Sequence, residues 1–207
     1  MRKPSSMRGL EDLGRVRLSK NFFFREFLFS EIAAVHGIAN VPDDPELAIE
    51  SGRRLCEDLL EPLQATFGRL HLRSGYRSAA VNEFGNRNNL NCSTNAASAA
   101  DHIWDMRDVD GCMGATACVV IPWLIDNHDR EGDWQKMAWW IHDHLPYASL
   151  CFFPKLWALN IQWHERPARR IMSYAEPRGV LTKPGMANHE GDHSSFYETF
   201  PAWRTAG

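Results

Sequence analysis

The sequence predicts an α+β fold, and three observations carry that prediction. Pro45 to Phe67 repeats apolar residues at helical spacing. Four short runs, at 69–73, 116–121, 150–153 and 159–163, have the length and apolar character of strands. The chain has 207 residues, 44% hydrophobic and 24% charged, enough for one well-buried core and no more than an irregular extension besides.

Taken in order, residues 1–18 read as a flexible, basic N-terminal arm. Between Asn21 and His36 the residues Phe22, Phe23, Phe27, Leu28, Ile32, Ala33 and Val35 suit two short helices with an aromatic face. Gly37 is placed to cap the second. In the turn Pro42-Asp43-Asp44-Pro45, Asp44 is the N-cap of the helix that Pro45 begins. That helix puts Leu55, Cys56, Leu59, Leu60, Leu63 and Phe67 on one face and ends at Gly68. Arg69 to Arg73 alternates like a half-buried strand. Residues 84–101, rich in Asn, Ser, Ala and Gly, read as a long irregular loop. Thr116 to Ile121 suits a central strand, Trp134 to His144 a helix, and Leu150 to Phe153 and Leu159 to Trp163 two further strands. The main domain is thus 19–174, and 175–207 reads as an irregular C-terminal extension that wraps it.

Composition excludes several classes. A net charge of −3 gives no electrostatic footprint for nucleic acid or an anionic membrane. No window approaches the length of a membrane span. Met1 to Leu18 has basic residues but no apolar h-region, so the expectation is synthesis in the cytoplasm without a signal peptide. Five cysteines, at 56, 92, 112, 118 and 151, argue against a disulfide framework and for a reducing compartment. Eight Trp and eleven Phe imply an aromatic core, or else a groove that stacks on sugars or grips peptide. Gly-x-Ser-x-Gly, phosphate-binding glycine loops and Cys-x-x-Cys pairs are absent.

Four motifs occur in a telling order: Asn21-Phe22-Phe23-Phe24-Arg25-Glu26-Phe27, then Gly37-Ile38-Ala39-Asn40-Val41-Pro42, then Leu60-Glu61-Pro62-Leu63, then Ser74-Gly75-Tyr76-Arg77-Ser78 with Asn82. In that order and spacing they resemble the zinc D,D-peptidases, the family of D-alanyl-D-alanine carboxypeptidases and dipeptidases and of phage L-alanyl-D-glutamate endolysins. The resemblance is good over 21–82, patchy over 83–172 and absent beyond. It implies a small antiparallel sheet covered on one side by helices, and a zinc ion held by three side chains with one position open for water.

Carried over residue by residue, the resemblance makes Arg77 the group that binds a substrate carboxylate or polarises a carbonyl, with Ser74 and Tyr76 beside it. His102 stands for the first metal ligand. The family has Gly three and Asp seven residues after it; here those positions are Asp105 and Val109. Asp108 is the preferred second ligand, since it keeps the carboxylate; Asp105, Asp110 and Cys118 are the alternatives. Cys118 enters because Gly114-Ala115-Thr116-Ala117-Cys118 follows the family's Gly-x-x-Ala-Asp strand entry. Trp163-His164 stands for the family's Trp-x-His, making His164 the third ligand. The general base is missing from its expected place, where Cys151, Phe152, Phe153 and Ile161 stand. Glu165 is its substitute, although neighbours on a strand point to opposite faces. Asp105 and Asp110 are further candidates.

Other readings compete. Asp105, Asp108 and Asp110 with Gly111 also suit a calcium loop that lacks its terminal Glu, or a solvated acidic loop. His189-Glu190-Gly191-Asp192-His193 matches His-Glu-x-x-His, which in zincins must lie on a helix, yet its glycine and polar surroundings argue against one. His142 and His144 end a Trp-rich helix, where cationic side chains suit the helix dipole.

What the resemblance implies is a zinc peptidase cleaving the peptide part of peptidoglycan or a muropeptide. It would reach the wall as a phage lysin does or act on recycled fragments. The alternative is a degenerate relative that binds wall peptide or belongs to a phage-like particle without catalysis.

Overall fold

The computed structural model describes residues 1–128 and 132–204. Residues 129–131 and 205–207, which fall in the segments read as domain and extension, lie outside the described residues. The fold is α+β. Six strands form one mixed sheet in the order β1-β2-β4-β3-β5-β6: β1 His71–Ser74, β2 Gly114–Val120, β3 Ser149–Phe152, β4 Leu159–His164, β5 Arg170–Ser173 and β6 Gly179–Thr182.

The sheet differs from the all-antiparallel one expected, because β3 and β5 run parallel. The chain leaves β3, returns along β4, and crosses β3 again to reach its free edge, which reverses the direction a hairpin would give.

Asp44 caps α3 (Pro45–Leu55), its carboxylate accepting from the N–H groups of Glu46 and Leu47 at 3.2 and 3.1 Å. A π-helical turn, Cys56–Leu60, joins α3 to α4 (Glu61–Phe67). Pro62 explains it: proline lacks an N–H and crowds the preceding turn, so the helix widens there and Glu61 N–H reaches back to the Cys56 carbonyl. Leu55, Cys56, Leu59, Leu60 and Leu63 are wholly buried against the inner face of the sheet, where Ala115, Ala117, Val119, Leu150, Phe152, Leu159 and Ile161 are also buried. Gly68, at φ +81°, ends the helix as expected.

The two short helices at 21–36 are a 3-10 turn Phe24–Phe27 and α2 (Glu31–His36), closed by Gly37 at φ +65°. Residues 7–14, within the segment read as an arm, form α1 (Met7–Gly14), capped by the Ser6 hydroxyl; Leu13 and Leu18 are buried in the core. Residues 84–101 are not wholly irregular. They hold the end of α5 (Ala79–Arg87), capped by Ser78, and α6 (Asn95–Ser98), capped by Thr94. The caps were present in the sequence, but the polar composition masked them. A further short helix, α7 (Pro122–Asn127), follows β2, and α8 (Trp134–His144) has the bounds expected. The C-terminal segment carries β6 and a 3-10 turn, Ser194–Phe196. No described helix is long and apolar enough to cross a membrane.

The motif residues tie these parts together. Glu61, 4% exposed, accepts hydrogen bonds from the Ser19 hydroxyl (2.7 Å), the Asn21 N–H (2.6 Å) and the Asn21 side-chain amide (2.7 Å). Asn40 donates to the carbonyls of Leu28 (2.9 Å) and Tyr76 (3.0 Å) and accepts from the Ser78 N–H (2.7 Å).

Candidate functional site

The outer face of the sheet is polar, and this follows from strand alternation. On β4 the odd residues Leu159, Ile161 and Trp163 face the core, so Asn160, Gln162 and His164 share the outer face. Register places Cys118 on one side of Asn160 and Cys151 on the other, and Thr116 and Ser149 on either side of Gln162. The segment 99–106 crosses this face. Thr116 N–H donates to the Asp101 carbonyl (2.9 Å), the Thr116 hydroxyl to the Asp101 carboxylate, and the Gln162 amide to the Ala100 carbonyl (3.2 Å).

That crossing carries His102 over Asn160, whose amide nitrogen is 3.3 Å from His102 Nε2. The two sit in a cleft of about 750 Å³. Glu31, Arg73, Ser74, Arg77, Asp101, Cys118 and Cys151 are among the other residues that line it. Arg77 is held in place by its own backbone N–H, which donates to the His102 carbonyl (2.9 Å), and by Nη1, which reaches Asn82 Oδ1 (3.0 Å) and Cys92 Sγ (3.1 Å). Its Nε and Nη2 have no protein hydrogen-bond partner among the described residues. Burial lowers the proton affinity of His102, and the Arg77 guanidinium adds to this, against the Asp101 carboxylate. Burial also pushes the Cys118 and Cys151 thiols up to about 11, so both are protonated at neutral pH.

The structure does not assemble His102, Asp108 and His164 into one metal site. His164 stands four residues along β4 from Asn160, a separation of about 13 Å at strand rise, and His102 is at the Asn160 end. His164 instead pairs with Asp108, Nε2 to Oδ2 at 3.1 Å. Asp108 Oδ1 accepts from the N–H groups of Asp110 (3.0 Å) and Cys112 (2.8 Å), chiefly the latter holding its carboxyl below the usual range. Asp108 therefore closes a turn.

The expected base is engaged elsewhere. Glu165 accepts from the Met113 N–H (2.7 Å) and lies 3.9 Å from Arg107, outside the residues that line the cleft. Asp105 braces the turn at Asp43 and Asp44 through their N–H groups (2.7 and 3.3 Å), and Asp110 lies 3.5 Å from Arg166 at the surface. Tyr76 is 1% exposed and packs against Phe24 and Trp104, so it supports the site without lining it. Arg77, Ser74, His102 and Cys118 do reach the cleft. Asn160 and Cys151, which face it as well, were missed as site residues. The signal that finds Asn160 is its even spacing from His164 on one strand.

A second cluster lies at the end of α8. His142, Asp143 and His193 are the one group of three His, Cys, Asp or Glu side chains, among the described residues, whose ligand atoms all lie within 4.8 Å of one another. Residues 189–193 are not helical, so His-Glu-x-x-His does not form a zincin site there. His144 Nδ1 instead bonds the Trp140 carbonyl at 2.8 Å.

No family model, no curated protein and no solved structure matches this chain.

Proposed function

We propose that this chain is a relative of the zinc D,D-peptidases that binds the peptide part of peptidoglycan, or a muropeptide, through a carboxylate and without hydrolysing it. The observation that supports this is Arg77. One edge of its guanidinium is fixed by Asn82 and Cys92, and the other is left for a ligand in a polar cleft of about 750 Å³. A planar, pre-oriented guanidinium suits bidentate carboxylate binding, which lysine does not reproduce. Arg73 adds a second positive charge to the lining of the same cleft. The surroundings of His102 support the reading without hydrolysis. Asn160 occupies the place beside it, and Asp101 is already engaged by the Thr116 hydroxyl.

A zinc peptidase is the second reading, and His102 is what favours it. Its surroundings favour the neutral imidazole that a metal ligand needs, and the Cys118 thiol lines the same cleft.

Isothermal titration with a muropeptide ending in D-alanyl-D-alanine tests both. The binding reading expects saturable binding in metal-stripped protein, weakened at least about tenfold in Arg77→Ala and not restored in Arg77→Lys. No binding would sink it. Cleavage of the peptide by zinc-loaded protein, detected by mass spectrometry and lost in His102→Ala, would establish the peptidase instead.

A further inference from the structure

Outside the cleft, the C-terminal segment returns to α8 and buries two histidines against it. His189 and His193 are 7% and 6% exposed, beside His142 at 7%. The His193 ring stacks on Trp139 at 4.1 Å. We propose that His142, Asp143 and His193 form a binding site for one divalent first-row transition metal cation of the zinc class, which fastens the C-terminal segment to α8.

The donor set is the first argument. Two imidazoles and one carboxylate, with ligand atoms within 4.8 Å of each other, suit zinc, cobalt, nickel or copper and not the all-oxygen preference of calcium or magnesium. The second is how the ligands are oriented. A carbonyl only accepts, so the Asn188 carbonyl at 3.0 Å fixes the proton on His193 Nε2 and leaves Nδ1, 2.7 Å from Asp143 Oδ1, as the nitrogen to offer. Tyr197 donates to Asp143 Oδ2 at 2.6 Å and leaves Oδ1 for the ion. Such outer hydrogen bonds are what hold metal-binding side chains in place. His142 contacts the Tyr147 hydroxyl (2.6 Å) and the His189 carbonyl (2.8 Å), and metal binding exchanges one of these for a ligand bond.

The third argument is His189. Its Nδ1 is 3.1 Å from the buried Thr182 hydroxyl, while its Nε2 has no hydrogen-bond partner among the described residues. Its ring is 4.8 Å from that of His142, and both line a polar cavity of about 380 Å³. His189 thus adds a neighbouring imidazole outside the group of three. Glu190 and Asp192 line the same cavity and favour a cation. Arg169 opposes one, but its guanidinium is bound to the carbonyls of Leu145 (2.7 Å) and His142 (2.6 Å) and lies over the Tyr147 ring.

None of these residues lines the Arg77 cleft, and the proposal stands apart from the carboxylate-binding reading.

The test is titration of metal-stripped full-length protein with Zn²⁺ and with Co²⁺. Expected are one equivalent bound, a raised Tm and the visible bands of a low-symmetry cobalt site. His193→Gln and Asp143→Asn should each weaken binding by about tenfold or more, while His102→Ala leaves it unchanged. No binding by wild type overturns the site whatever the variants do. So does binding unaffected by both changes, or binding lost in His102→Ala, which would move the metal to the cleft. Stoichiometry and the cobalt spectrum are read on wild type, so variants that fail to fold leave the proposal open to refutation.

Discussion

Replacing Asn40 with alanine tests whether the Arg77 turn is built from outside, by the side chain that clasps it. Asn40 makes three hydrogen bonds, to the Leu28 carbonyl, the Tyr76 carbonyl and the Ser78 N–H, at 2.9, 3.0 and 2.7 Å. Each contributes about 0.5–1.5 kcal/mol net. The residue is half-buried, so water partly replaces what is lost, and about 2 kcal/mol is the expected cost. For a chain of this length that lowers Tm by roughly 4–8 °C. Asn40→Asp keeps an acceptor for Ser78 N–H but cannot donate to the two carbonyls, so it should lose at least as much. Urea denaturation with a common m-value gives the difference directly. An Asn40→Asp protein as stable as wild type, or an Asn40→Ala loss under about 0.5 kcal/mol, would refute the argument.

Two further outcomes follow from the geometry. At Gly114, a Cβ would overlap the Ala100 carbonyl oxygen and lie 2.7 Å from His164 Cδ2, both on the crossing segment or its strand partner. Gly114→Ala should therefore cost roughly 1–3 kcal/mol, and an unchanged urea midpoint would show that the crossing is loose. Acidification should destabilise the fold. Burial lowers the proton affinity of His102 and His142 below the ordinary 6.5, so the unfolded chain takes up protons first. Their contribution is complete above about pH 6.5 and is lost as pH falls through the lower folded values. A Tm that stays flat or rises from about pH 7 to about pH 5 would contradict this.

The fold was largely legible because its main signals are local. Asp44 and Pro45 start α3, Gly68 stops α4, and Trp134 to His144 is helical throughout. What composition hid was the pair of capped helices in 79–98, where Asn and Ser act as caps and network residues while also giving a loop-like average. The parallel β3–β5 pair was not legible, since it depends on which edge the chain reaches after β4.

The candidate site divides in the same way. Arg77, Ser74 and His102 reach the cleft because a strand, a tight turn and a short crossing place them there. His164 and Asp108, expected beside His102, pair with each other instead. Spacing along the chain did not reveal that His102 lies over Asn160, four residues from His164.

By itself the sequence determined the helices at 24–36, 45–67 and 134–144, four of the six strands and the motif residues Asn21, Asn40, Glu61 and Arg77, because capping, periodicity and turn chemistry act within a few residues. Only the tertiary structure decided which side chains meet. Strand register set Asn160 between two cysteines, and the return of the C-terminal segment set His193 against Asp143, fifty residues away in sequence. Those encounters depend on the packing of the whole chain, which no local pattern encodes.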